Sequence, residues 1–169
     1  MKHLKNIFAL FLSIIAFTSC ETYGDYEVDY TPIHPLSGQY RITVYDQSGK
    51  ELYTNYCYIA NTTDYATDKC WIRIGAYNAE ATNEWAINGK ISCDVGALSF
   101  SGSNVENLAG NVSSSSETFS VTDGVVVLNG ATSPSNTTTD KISFSFTNSR
   151  FPGETFKAEG YRYTYWSGD

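Results

Sequence analysis

Histidine is nearly absent from this sequence: there are two among 169 residues, His3 and His34. His3 lies in an apolar N-terminal stretch, so a Ser-His-Asp or Cys-His site would have to use His34, which stands between Ile33 and Pro35. No Gly-x-Ser-x-Gly elbow occurs; Gly96-Ala97-Leu98-Ser99-Phe100 comes nearest and fails at its last position. Walker and GxGxxG phosphate loops are missing, and none of the four cysteines has the C-x-x-C spacing of a zinc or redox site. The residues thus point to no cofactor and no metal. Carboxylates such as Glu51, Glu84, Glu106, Glu154 and Glu159 are scattered and read as solvated surface charge. No catalytic constellation is found, so the sequence leans against an enzyme. Eleven Lys and Arg stand against eighteen Asp and Glu, a net charge of -7, which repels phosphate backbones and excludes nucleic acid as a partner. Long apolar runs are missing too. The longest, Ile7–Phe17, falls short of the ~20 residues a membrane-spanning helix needs.

That run has a basic head, Lys2 and Lys5, and ends in Phe17-Thr18-Ser19-Cys20, the layout of a secretory signal peptide. A Cys after Phe-Thr-Ser resembles the bacterial lipobox, with Phe17 where Leu is usual. The resemblance implies that Cys20 is lipidated, becomes the first mature residue and anchors the chain in the bacterial outer membrane, on the periplasmic or the surface side. Several acyl chains on one Cys exceed the marginal binding of a single chain. The expected organisation is a leader over 1–19, a lipidated tether over 20–36 and one domain over 37–169, a usual size for a single core. Cys57, Cys70 and Cys93 each fall on the apolar side of an expected strand. They read as buried small hydrophobes, with a Cys57–Cys70 disulfide as the alternative in an exported chain.

The tether carries Glu21, Asp25, Glu27 and Asp29 among tyrosines and closes on Thr31-Pro32-Ile33-His34-Pro35, whose prolines favour extended backbone. From Gly38 the period becomes two, the mark of half-buried strands. Tyr40, Ile42 and Val44 share one face. Leu52–Ala60, Lys69–Tyr77, Ala97–Ser101, Lys141–Thr147 and Thr155–Trp166 follow. Asn88-Gly89 and Asp123-Gly124 signal hairpins, between Trp85–Ile87 and Lys90–Cys93 and between Phe119–Val121 and Val125–Leu128. Ser103 with Glu106 has the form of a capping box, with Gly110 as a helical stop. Asn111–Ser116 is expected as a polar loop, and Ala131–Asp140 as a mobile loop tip. Eight or nine short antiparallel strands joined by tight turns predict an all-β meander, hence a barrel of about eight strands.

Three pieces resemble the bacterial lipoprotein family of lipid-binding putative hydrolases: Tyr30–Tyr40, Cys70-Trp71-Ile72, and Phe151–Thr155 followed by Gly160-Tyr161-Arg162. The resemblance implies a lipocalin-like (calycin-like) barrel and a small hydrophobic or amphipathic, lipid-like ligand in its mouth. Ile42, Ile72, Ile74, Phe144 and Phe146 are the candidate wall residues, and a side-chain-filled core is the alternative for the same positions. No residue set supports the hydrolase half of the name, so an esterase and a structural subunit of the cell envelope stand as rival readings. A meander barrel must pair its first and last strands. Lipocalin-like proteins stack an Arg from a late strand on a first-strand Trp, and here the resemblance puts Tyr40 and Arg162 in those roles.

Overall fold

Alternation of inward apolar and outward polar side chains produces eight strands: β1 (Gly38–Tyr45), β2 (Glu51–Asn61), β3 (Lys69–Ile74), β4 (Asn88–Asp94), β5 (Ser99–Glu106), β6 (Thr118–Thr132), β7 (Thr138–Asn148) and β8 (Phe156–Arg162). The computed structural model describes residues 28–75, 85–109 and 117–169. Each strand pairs antiparallel with the next, and β1 with β8, so the sheet closes into a barrel without a free edge. The described residues contain no helix.

The interior is one apolar cluster. Ile42, Val44, Ile72, Ile142 and Phe144 come from three strands and are all at most 2% exposed. Phe100, Phe144, Phe146 and Phe156 run through it as a chain of rings 5.3–6.0 Å apart. Burying each such side chain stabilises the fold by ~1.5–3 kcal/mol. The seam is close-packed as well. Gly160 faces Ile42 on β1 and Ile142 on β7, and a Cβ there would overlap the Arg41 carbonyl.

Several local expectations are corrected. Asn88-Gly89 does not reverse the chain; both residues begin β4. A Cβ on Gly89 would lie 2.7 Å from Phe119 Cε1, so this glycine serves close packing. Asp123-Gly124 lies within the long strand β6 as a bulge, with Asp123 at φ 54° and the register shifting between Thr122 and Val125. Gly124 packs directly on Phe100. Ser103 to Glu106 is strand, not helix: β5 pairs with β6 through two register shifts, and Asn104 takes φ 51°. Long-range pairing overrides the local capping pattern. Gly110 and Asn111–Ser116 lie outside the described residues. The loop expected over 131–140 shrinks to a turn, because Ala131↔Thr139 and Thr132↔Thr138 extend the β6–β7 ladder.

Among the described residues Cys57, Cys70 and Cys93 are free thiols. Cys57 lies opposite Ile74 and Cys70 opposite Asn61. The two therefore sit four ladder positions apart, roughly 13 Å at strand rise, beyond disulfide reach.

Thr31 to Asp169 form one compact unit, in which the residues just before β1 pack with the barrel. Its first piece is a turn, with His34 N–H donating to the Thr31 carbonyl (2.9 Å) and Leu36 N–H to that of Ile33 (2.9 Å). Ile33 and Leu36 are 0% exposed. An Ile and a Leu three apart make one apolar face on a single turn, and that face closes the barrel floor.

Candidate functional site

The two ends of the barrel are built differently. At the Arg162 end the floor turn is held by a set of paired polar groups. The Tyr40 hydroxyl donates to the Leu36 carbonyl at 2.8 Å. Arg162 and Tyr40 are direct cross-strand neighbours on β8 and β1, and the guanidinium carbon stands 4.9 Å from the Tyr40 ring centroid. The same guanidinium donates to Asp140 Oδ2 (2.8 Å) and to the carbonyls of Pro35 (3.0 Å) and Ser37. The Arg162 carbonyl in turn accepts from the Thr139 hydroxyl at 2.9 Å. Gly38 leaves room for the guanidinium, since a Cβ there would overlap Arg162 Nη1. The structure thus brings Tyr40 and Arg162 together, as a clamp that joins the seam and pins the floor.

The opposite end, where β1 turns into β2 and β7 into β8, is covered by rings. Trp85 stacks on Tyr53 (5.2 Å, 19°) and on Phe151 (5.9 Å, 18°). Phe151 meets Phe156 edge-on at 5.6 Å, which continues the interior ring chain. The hydroxyl of Tyr53, itself part of this cover, is buried and finds no hydrogen-bond partner among the described residues. An orphaned buried hydroxyl costs ~1–3 kcal/mol. Burial pushes the Tyr53 phenol well above the ordinary tyrosine range. Burial does the same to Tyr40, with Arg162 pulling the other way.

Ile42, Ile72, Ile74, Phe144 and Phe146 all point inward and are fully buried among other side chains. Ile74 and Phe146 lie toward the ring-covered end of their strands, and Phe146 contacts Phe156 at 5.3 Å. Outside the barrel, Tyr45, Asp46, Gln47, Gly49, Ser145, Phe156, Lys157 and Glu159 help to line an open cleft of about 610 Å³. Cys20 lies outside the described residues. His34 is exposed on the floor turn, at the end away from Tyr53 and Trp85. Among the described residues no group of three or more His, Cys, Asp or Glu side chains is placed to hold a metal ion.

Residues 25–167 match the family described as lipid-binding putative hydrolase. The chain belongs to this family. No curated protein matches it. Two solved structures resemble this lipid-binding putative hydrolase family member in outline. One is a redesigned beta barrel (14% identity, TM-score 0.44, covering 81% of this chain and 99% of that one). The other is the redesigned beta barrel mFAP1, solved bound to DFHBI (11% identity, TM-score 0.44, covering 79% and 100%).

Sequence reasoning missed Tyr53, Trp85 and Phe151 as a unit, because they come from three separate segments with no shared period. A weak signal existed for Tyr53, an aromatic two and four positions before the inward Asn55 and Cys57. It was hidden by Tyr56 and Tyr58 on the other face of the same strand.

Proposed function

We propose that this protein is a lipid-anchored envelope protein whose barrel takes a small apolar or amphipathic ligand at the Trp85 end. The observation that carries the reading is the buried hydroxyl of Tyr53, whose ring stacks on Trp85 and which has no hydrogen-bond partner among the described residues. A ligand that displaces the stacked rings would bury its apolar part against Phe146 and Phe156, and its polar group would satisfy the hydroxyl. Family membership supports a lipid-like ligand, and the barrel supports a single small one. The Arg162 end is sealed and serves as the base against which such a ligand stops. Anchoring is assigned to Cys20 by the leader that precedes it.

A polyene fatty acid that fluoresces in apolar surroundings tests the binding. It should be bound by the wild type and displaced by ordinary fatty acids. Tyr53→Phe should weaken fatty acid binding by about fivefold, the worth of one hydrogen bond, while leaving a hydrocarbon probe unaffected. No binding of any lipid class, with an interior that stays packed, would overturn the reading. Anchoring is checked by labelling with radioactive fatty acid, which should mark the wild type and not Cys20→Ala. Ester turnover lost in His34→Ala would instead favour an esterase; the placement of His34 away from Tyr53 predicts no such dependence.

A further inference from the structure

The outer wall carries an organised set of charges that ligand binding inside the barrel does not use. Lys141, Tyr161, Arg41 and Tyr56 lie side by side in one register row across β7, β8, β1 and β2. Tyr58 follows Tyr56 on the same face of β2, with ring centroids 6.4 Å apart. The row then continues through Arg73, opposite Tyr58, and through Trp71, opposite Lys90 on β4. Cations alternate with aromatic rings along a stripe that covers six of the eight strands.

The rings hold the cations in place. Arg41 stands 5.0 Å from the Tyr56 centroid, Arg73 4.3 Å from that of Tyr58, and Lys90 5.7 Å from that of Trp71. Arg41, Lys90 and Lys141 enter none of the described ion pairs, which are Arg150–Glu117, Lys157–Glu159 and Arg162–Asp140. The neighbouring carboxylates are already engaged: Glu159 by Lys157 at 2.5 Å, Asp169 by Thr164 and the Ser135 N–H, and Asp64, in the field of Lys90, by Thr62. Of the eleven Lys and Arg in a chain of net charge -7, four stand on this stripe.

We propose that the stripe is a binding track for an acidic polysaccharide. The strands that carry Lys141, Arg41 and Arg73 recur every second place, roughly 10 Å apart at the inter-strand spacing, with Lys90 on the strand after β3. That interval suits a polymer with sparse acid groups. It does not suit duplex nucleic acid, with a charge about every 3.4 Å along each strand, and the acidic remainder of the surface repels so dense a polyanion. The rings are mostly tyrosine, whose hydroxyls hydrogen-bond to sugar hydroxyls, and Trp71 adds an apolar face for a sugar ring. A stripe that runs around three-quarters of a cylinder is also the wrong shape for a flat bilayer, which touches a cylinder along one side. A flexible linear chain can follow it.

The test is binding of the full-length protein to hyaluronan, in which a uronate alternates with a neutral sugar. Dextran, single-stranded DNA and phosphatidylglycerol vesicles are the comparisons. Hyaluronan should bind best, and more weakly as salt rises. Combining Arg41→Gln with Lys90→Gln should weaken it by on the order of tenfold. The exposed Lys90→Gln alone should still weaken binding if the double variant fails to fold, while Lys50→Gln, off the stripe, should change nothing. Equal loss from Lys90→Gln and from Lys50→Gln would reduce the effect to bulk charge and overturn the proposal. So would binding of dextran as tightly as hyaluronan, or preference for DNA or vesicles. Fatty acid binding inside the barrel should be untouched by these substitutions, so this proposal and the interior one stand or fall separately.

Discussion

The two ends of this barrel contain the same kinds of side chain and put them to opposite use. Each has a tyrosine with a buried hydroxyl, packed against a residue distant in sequence. At one end Tyr40 donates a hydrogen bond and lies under a guanidinium that is itself bonded to Asp140, Pro35 and Ser37. At the other, Tyr53 stacks on Trp85 and its hydroxyl has no partner among the described residues. Satisfied polar groups rigidify a region, and an unsatisfied one marks where the fold has kept something in reserve. The difference teaches that burial alone does not separate a tyrosine that braces the fold from one whose hydroxyl is left open. The hydrogen-bond ledger does.

The sharpest test of the contrast is Arg162→Ala. Its side chain is 25% exposed and its partner Asp140 17%, so the pair is only partly screened by solvent. The substitution strands two carbonyls and a carboxylate and should cost about 3 kcal/mol in urea unfolding. A cost below ~1 kcal/mol would mean that this end is not a clamp. Next in size is a pair of substitutions with opposite signs. Tyr40→Phe should destabilise by ~1 kcal/mol through the lost bond to Leu36, whereas Tyr53→Phe should be neutral or stabilising by up to ~1 kcal/mol. Equal losses would erase the distinction between the ends. A smaller effect is the coupling between Tyr40 and Arg162, expected at ~0.5–1 kcal/mol in a double-mutant cycle because tyrosine is a weaker cation–π partner than tryptophan. Additive single effects would reduce their contact to mere proximity.

The last effect is nil at neutral pH and treats both ends alike. Burial raises the phenol pKa of Tyr40 and of Tyr53 in the folded state. The stability this contributes is therefore fully present below the unfolded value of ~10 and is lost as pH climbs above it, because only the unfolded chain ionises these groups readily. Tyrosinate absorbance followed with far-ultraviolet circular dichroism should show that these two of the thirteen tyrosines titrate only as the sheet unfolds. Complete titration near pH 10 with the sheet intact would contradict the burial.

Much of the architecture was legible because alternation is a direct physical requirement of a wall with one wet face. Ile142, Phe144 and Phe146 announce their strand, the need to close a meander brings β1 to β8, and the family resemblance points to Tyr40 and Arg162 as the pair that meets there. The failures share a cause. Asn88-Gly89 and Asp123-Gly124 report what a backbone can do at those positions, not what it does. A glycine beside a strand serves a reversal, a bulge or a close approach equally well, and only Phe119 and Phe100 across the sheet decide among them. Ser103 and Glu106 likewise satisfy a local rule that a paired neighbour overrules. Ile33 and Leu36 were concealed by the prolines beside them, which read as spacer. The Tyr53–Trp85–Phe151 stack is tertiary from the outset.

The seam has a bearing on how the molecule comes into being. Tyr40 and Arg162, the pair that shuts the sheet, stand near opposite ends of the folded chain. A polypeptide delivered N-terminus first exposes β1 long before β8 exists to cover it, so its outer edge waits with unmet hydrogen bonds through almost the whole of delivery. Loop closure over that span is paid last and all at once, which makes completion of the barrel a slow, late and cooperative step. Truncation just before Phe156 would remove one strand of eight and leave two raw edges, a species prone to stick to its own kind rather than a smaller working barrel.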